Sequence, residues 1–325
     1  MSELQTPQIY LDPQTLAALG SLELRARLIV EGLMIGMHRS PYRGLSIEFA
    51  QHRQYTPGDD VRHLDWKVFA RTDKLYLKEY QKETNLDLIV LVDASGSMGY
   101  TSMAGRMWRK YDLAASLAAA LSHMALKQQD RVSVGLFADQ LLTQTRLSSA
   151  RDHWRSILGT LEAQSDQLVP ESSGDGATSP RSTDLARLFD QVVARLTQRS
   201  LIVLISDLFD DAASLERGMA RLFHRRHDLI IFQTLDRAEL EFPFREPAVF
   251  EGLEAEGRLN LDPPALRRAY LDAIGAHRLQ IEQLARRFRF DHLLLDATEP
   301  LGPPLSQFLA ARAGAATRGT GGIGP

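Results

Sequence analysis

The chain has 325 residues, 44% hydrophobic and 24% charged, which is enough to bury a substantial core in one large domain or two small ones. Its net charge of -3 argues against a nucleic-acid binder acting through bulk charge, and the absence of cysteine excludes disulfides, thiolate metal sites and cysteine nucleophiles. No apolar run approaches the roughly 18 residues of a membrane span, and MSELQTPQIYLD lacks a leader pattern. The expectation is a soluble, cytoplasmic chain with no membrane or nucleic-acid partner; the sequence does not set its oligomeric state.

Residues 1–20 read as a flexible N-terminus. Residues 21–85 read as a helix followed by a β-rich lead-in: Leu24, Leu28, Ile29, Leu33 and Met34 recur at helical spacing, and SIEFAQHRQY and LYLKEYQKE flank a turn at Pro57-Gly58-Asp59-Asp60. From Leu86 to Val92 a continuous apolar run predicts a strand covered on both faces. A helix over about 106–128, strands over 131–138 and 141–147, and a helix over about 149–164 follow. Residues 165–182, rich in Ser, Gly, Pro and Asp, predict a long surface loop.

Beyond the loop, a helix with Ser182 or Thr183 near its N-cap leads to a buried strand over 201–206. Then come a helix over 212–226, a strand over 228–235, an irregular acidic stretch over 236–262, a helix over 263–288, a strand over 292–296 and a helix over 304–312. This alternation predicts an α/β domain over 86–312: a doubly wound, mostly parallel sheet with helices on both faces and one antiparallel pair. Residues 313–325 read as a disordered tail.

Ligands of such sheets bind beyond the carboxyl ends of the strands, where strand order reverses. Asp93, Ser95 and Ser97 leave the first buried strand at alternating positions, and Ser206-Asp207 end the second. Thr183 opens a helix facing the same rim. Two carboxylates and three hydroxyls without histidine or cysteine form a hard, oxygen-only set that suits Mg²⁺, with Mn²⁺ or Ca²⁺ also accommodated, and leaves a position for an outside acidic group.

DASGS resembles the D-x-S-x-S signature of von Willebrand factor A-type domains, with Thr183 and Asp207 falling where that family completes its metal-ion-dependent adhesion site. The resemblance implies that Ser95, Ser97 and Thr183 bind the metal directly and that Asp93 and Asp207 hold it largely through water. The final step is then coordination of a partner's Asp or Glu carboxylate. The segment EFAQHRQYTPGDDVRHLDWKVFART and the later LDRAELEFPF are similar to the bacterial branch called domain of unknown function fifty-eight, over about 26–295. That likeness implies a non-enzymatic adaptor for a MoxR-type AAA+ ATPase in assembly or maturation of other proteins. The transmembrane pair of longer members is absent from this sequence, in keeping with a cytoplasmic form.

Several alternatives stand beside this reading. Asp93 and Ser95 also suit a turn that only caps backbone amides. A serine hydrolase would use Ser97 with Asp207 and His292, although the nucleophile elbow requires a helix to start at once. A calcium loop starting at Asp93 would place Met98 where glycine belongs and Ala104 where glutamate belongs. Arg53, Tyr55, Asp59, Asp60, Arg62, Asp65, Trp66 and Arg71 form either a polar network within the lead-in or a partner surface. His224 and His227 sit one helical turn apart without a third ligand. No G-x-x-x-x-G-K loop is present, so the ATPase partner is expected to supply the energy.

Overall fold

Every residue from Asp87 to Asp93 is buried. Leu88, Val90 and Val92 join the core on one face of the sheet, while Ile89 and Leu91 join the core on the other. This strict alternation is what a strand paired on both edges and covered on both faces produces. The computed structural model describes residues 12–38, 52–54, 71, 76–78, 86–103, 108–167, 185–252 and 257–319. The chain divides into two compact units, Met1–Arg39 with Leu86–Pro325 and, between them in sequence, Ser40–Asn85.

In chain order the elements are helices α1 (Pro13–Ala18) and α2 (Leu22–His38), strands β1 (His52–Gln54), β2 (Tyr76–Lys78) and β3 (Asp87–Asp93), helix α3 (Lys110–Lys127), strands β4 (Arg131–Phe137) and β5 (Leu141–Gln144), and helices α4 (His153–Gln167) and α5 (Leu185–Val193). There follow strand β6 (Ser200–Ser206), helix α6 (Ala212–His224), strand β7 (Asp228–Leu235), helix α7 (Arg237–Glu241), strands β8 (Ala248–Glu251) and β9 (Arg258–Leu261), helix α8 (Pro263–Phe288), strand β10 (Asp291–Asp296) and helix α9 (Gly302–Gly319).

The main sheet has six strands in the order β10-β7-β6-β3-β4-β5. All its pairs are parallel except β4 with β5. The expected doubly wound sheet is therefore present. From β3 the chain moves outward through β4 and β5, then returns to the other side of β3 and proceeds through β6, β7 and β10. Strand order reverses between β3 and β6, so the crevice for a ligand lies past Asp93 and Ser206.

Residues of α1, α2, α3, α4 and α9 share the core on one face, and residues of α5, α6 and α8 fill the other. Helix α3 is alanine-rich, with Leu113 through Ala120 all buried. Its two buried hydroxyls are satisfied within the helix, Ser116 donating to the Asp112 carbonyl and Ser122 to that of Ala118.

The structure departs from the sequence reading in several places. Residues 13–18, expected to be flexible, form α1: Asp12 caps it by accepting from Gln14 and Thr15, Pro13 suits its first turn, and Leu16 is fully buried. Helix α2, grouped by sequence with the lead-in, belongs to the main unit and buries Leu22, Ala26, Ile29, Val30 and Leu33 while exposing Leu24. The stretch 236–262 is not irregular, since it holds α7 and the antiparallel β8–β9 pair. Helix α9 runs on to Gly319, past Arg312, through GAATRG, which contains no proline to stop it.

In the second unit, β1 and β2 pair antiparallel with Arg53 opposite Leu77. Of the motif residues expected there, Arg71 is exposed. Tyr55, Asp59, Asp60, Arg62, Asp65 and Trp66 lie outside the described residues, as does the side chain of Arg53.

Helices α5 and α6 meet at Gly218, where an added Cβ would collide with the Phe189 ring and stand 3.3 Å from the Leu185 carbonyl oxygen. Gly218→Val is expected to cost about 1–3 kcal/mol despite the better helix propensity of most residues over glycine. A denaturant titration checks this: the midpoint falls at unchanged slope, and an unmoved midpoint contradicts the packing described.

Candidate metal centre at the strand crossover

Strand β3 ends on Asp93, where the Ala94 amide still donates to the Phe137 carbonyl of β4 at 2.7 Å. The chain then turns sharply. Asp93 Oδ1 accepts the Ser95 amide at 2.9 Å, an aspartate turn, and Gly96–Gly99 form one turn of 3₁₀ helix. Met98, fully buried in the core, anchors that turn. The hydroxyls of Ser95 and Ser97 consequently converge, Oγ to Oγ 3.1 Å.

The neighbouring strand β6 supplies the opposite wall. Ser206 Oγ donates to Asp93 Oδ2 at 2.5 Å and accepts the Leu208 amide at 2.9 Å. Leu208 takes a left-handed conformation, φ 59°, which costs a branched residue on the order of 1 kcal/mol or more. Its carbonyl accepts a hydrogen bond from His277 Nε2 at 2.8 Å, which fixes the proton on that nitrogen. Asp207, at the bend, is buried, and so is Asp93.

Asp207 does not stand alone. Lys110, the first residue of α3, is completely buried, and its Nζ donates to Asp207 Oδ2 at 2.9 Å and to Glu239 Oε1 at 2.7 Å. The rings of Phe209 and Tyr100 lie 5.3 and 6.0 Å from the same ammonium. Glu239 is held in turn by α7: its Oε2 accepts the Asp236 amide, while Asp236 accepts the Ala238 and Ser102 amides. A capping box thus aims Glu239 at Lys110.

Electrostatics divides the carboxylates. Burial, together with the nearby charge of Asp207, raises Asp93 to about 7 against the opposing hydrogen bonds from Ser206 and Ser95. The influences that oppose the rise are these hydrogen bonds. Burial also raises Glu239, with Lys110 opposing, and pushes Tyr100 up to about 12 with help from Asp236 and Glu239. Burial pulls the Lys110 ammonium down, but Asp207 and Glu239 outweigh it and its pKa stands above the ordinary value.

The structure brings together Asp93, Ser95, Ser97 and Asp207 at the crossover. Thr183 lies outside the described residues. The helix that starts two positions later is tied to the same rim, with the Leu185 amide donating to Asp210 at 3.4 Å and the Ala186 amide to Ser214 Oγ at 3.2 Å. The donor set fits a hard divalent cation: a buried carboxylate held by hydrogen bonds stands beside two converged hydroxyls, an oxygen-only group. Among the described residues no three carboxylates or imidazoles gather as metal ligands, so an ion here depends on hydroxyl oxygens.

His292 is not brought to Ser97. It pairs in register with Ile231 on β7, three strand spacings from β3 or about 14 Å, and its ring hydrogen-bonds Gln233. His227 is engaged structurally, its Nδ1 accepting the Ser200 amide at 3.2 Å. Sequence reasoning missed Lys110 and Glu239. The signals were present: Lys110 lies on the same helical stripe as Leu113, Ala114 and Leu117, all buried, and Asp236-Arg-Ala-Glu239 has capping-box spacing.

Fold and site together define a doubly wound α/β protein with a polar centre at its crossover. The chain belongs to the family described as "Protein of unknown function DUF58", whose model matches residues 51–280. Uncharacterized protein Rv1480 of Mycobacterium tuberculosis and Uncharacterized protein Mb1516 of Mycobacterium bovis are each 28% identical over 282 residues, 85% of this chain and 82% of theirs. Solved structures similar to it include the conserved hypothetical protein BatB from Bacteroides thetaiotaomicron, at 15% identity and TM-score 0.44, covering 70% of this chain and 99% of that one. Manganese-loaded TRAP protein of Plasmodium vivax is similar at 17% identity and TM-score 0.32, over 46% of this chain and 56% of that one.

Ser206 serves two buried groups at once, the Asp93 carboxylate and the Leu208 amide. Ser206→Ala leaves both short of a partner and is expected to lower stability by about 1–3 kcal/mol. Equilibrium unfolding measures it, and a loss under about 0.5 kcal/mol contradicts the arrangement.

Proposed function

We propose that this protein is a non-enzymatic interaction module whose partner binding depends on Mg²⁺, with Mn²⁺ as a competent substitute. The observation that carries the reading is the burial of Asp93 beside the paired hydroxyls of Ser95 and Ser97, at the crossover and next to Asp207. Ser95, Ser97 and Thr183 would hold the ion, with Asp93 and Asp207 supplying the negative charge behind them. The bound ion supplies a Lewis-acidic position for an acidic side chain of a partner.

The chain's own contribution is preorganisation. The Asp93 turn fixes Ser95, Met98 anchors the loop that carries Ser97, and Ser206 joins the two strands across the crevice. The partner in this proposal is a MoxR-type AAA+ ATPase, for which the module acts as adaptor toward a client that offers an Asp or Glu carboxylate. The family resemblance supports that assignment. The distance of His292 from β3 supports a binding role for Ser97 over a nucleophilic one.

Isothermal titration of the full chain with Mg²⁺ and Mn²⁺ tests the reading. Ser97→Ala is expected to weaken binding by on the order of tenfold or more while the far-UV spectrum stays unchanged. Equal affinity in wild type and Ser97→Ala sinks it. A fluorophosphonate probe is expected to leave Ser97 unlabelled, and labelling there would install the hydrolase instead.

A further inference from the structure

Lys110 occupies a position that is unfavourable for a cation on two counts. It is stripped of water, and it stands at the N-terminal end of α3, where the helix dipole opposes positive charge. Its side chain lies on a stripe otherwise filled by Leu113, Ala114 and Leu117. Two carboxylates from separate segments hold it there, Asp207 from the turn after β6 and Glu239 from α7. One ammonium thereby links the start of α3, the turn at the end of β6 and the capping box of α7.

We infer that Lys110 is a tethered counter-ion of the candidate metal centre, holding Asp207 in place when no divalent ion is bound and weakening, by repulsion and by competition for Asp207, the hold on the ion when it arrives. The inference rests on the metal-binding reading proposed above. Lys110 is a positioning residue on this account: it touches Asp207 and Glu239, and its tether does not have to diffuse in or out.

Two consequences follow from the geometry. The ammonium neutralises Asp207 in the ion-free protein, so the turn at Asp207-Leu208 stays assembled without metal. A divalent ion near Asp207 meets a second cation within a poorly solvated site, and the pair of positive charges lowers its affinity. Glu239 sets the balance, because every hydrogen bond it takes from Lys110 loosens the grip of Lys110 on Asp207. Removing Lys110 and removing the charge of Glu239 therefore act in opposite directions.

Titration of the full chain with Mn²⁺, followed by the paramagnetic resonance of the free ion, tests this on wild type, Lys110→Met and Glu239→Gln. Lys110→Met is expected to bind Mn²⁺ on the order of tenfold more tightly and to show a larger difference in melting temperature between Mn²⁺ and EDTA than wild type. Glu239→Gln is expected to bind several-fold more weakly. A folded Lys110→Met that binds no more tightly than wild type overturns the inference while leaving the metal-binding reading standing. If Lys110→Met folds in Mn²⁺ and not in EDTA, the counter-ion role is supported. If it folds in neither, Glu239→Gln decides, weaker binding supporting the role and unchanged or tighter binding overturning it. Absence of Mn²⁺ binding in all three proteins overturns the metal-binding reading and this inference with it.

Discussion

Asp93 and Asp207 are buried at the carboxyl ends of adjacent strands, close enough for the charge of one to raise the pKa of the other. Two carboxylates in such a place repel each other and lose their hydration, so the surrounding structure must supply compensation. It does so unequally. Asp207 pairs with the Lys110 ammonium, which it shares with Glu239, whereas Asp93 is held by hydrogen bonds from Ser206 and Ser95. That asymmetry gives the site its character: the ion pair lies on the Asp207 side, and the converged hydroxyls of Ser95 and Ser97 lie on the Asp93 side.

The sheet makes this arrangement possible. Since strand order reverses between β3 and β6, the helices leaving these two strands do not both cover the crevice beyond their ends. The alternating burial of β3 and β6 on the two faces fixes the register, and the register sets Val92 opposite Ile205, just before Asp93 and Ser206. The left-handed Leu208 then bends the chain so that Asp207 turns toward Lys110, and Phe209, 48% exposed, stands at the rim stacked on His277. The geometry of this centre depends on packing that begins one residue below it.

Much of this was legible in the sequence because it rests on periodicity and punctuation. The continuous apolar run before DASGS, the strand at 228–235 and the helix at 263–288 follow directly from pattern, and the doubly wound sheet follows from their alternation. The misses have physical causes. Helix α1 has only six residues and depends on its Asp12 cap, Pro13 and the burial of Leu16 rather than on a long amphipathic stripe. The β8–β9 hairpin has strands of four residues each, too short for their alternation to stand out in the sequence. Lys110 was passed over because a lysine beside apolar residues reads as a solvated position, and only the tertiary structure brings Asp207 and Glu239 to it.

The central claim is that a divalent ion binds beside Asp93, held on hydroxyl oxygens at the crossover. Crystals of the full chain grown with Mn²⁺ and measured at the manganese absorption edge address it most directly. The account predicts an anomalous peak bounded by Ser95, Ser97 and Asp93, with Asp207 on its far side and Lys110 directed toward Glu239. An anomalous map empty at that position, with Ser95 and Ser97 still bonded to each other and Lys110 still on Asp207, contradicts it.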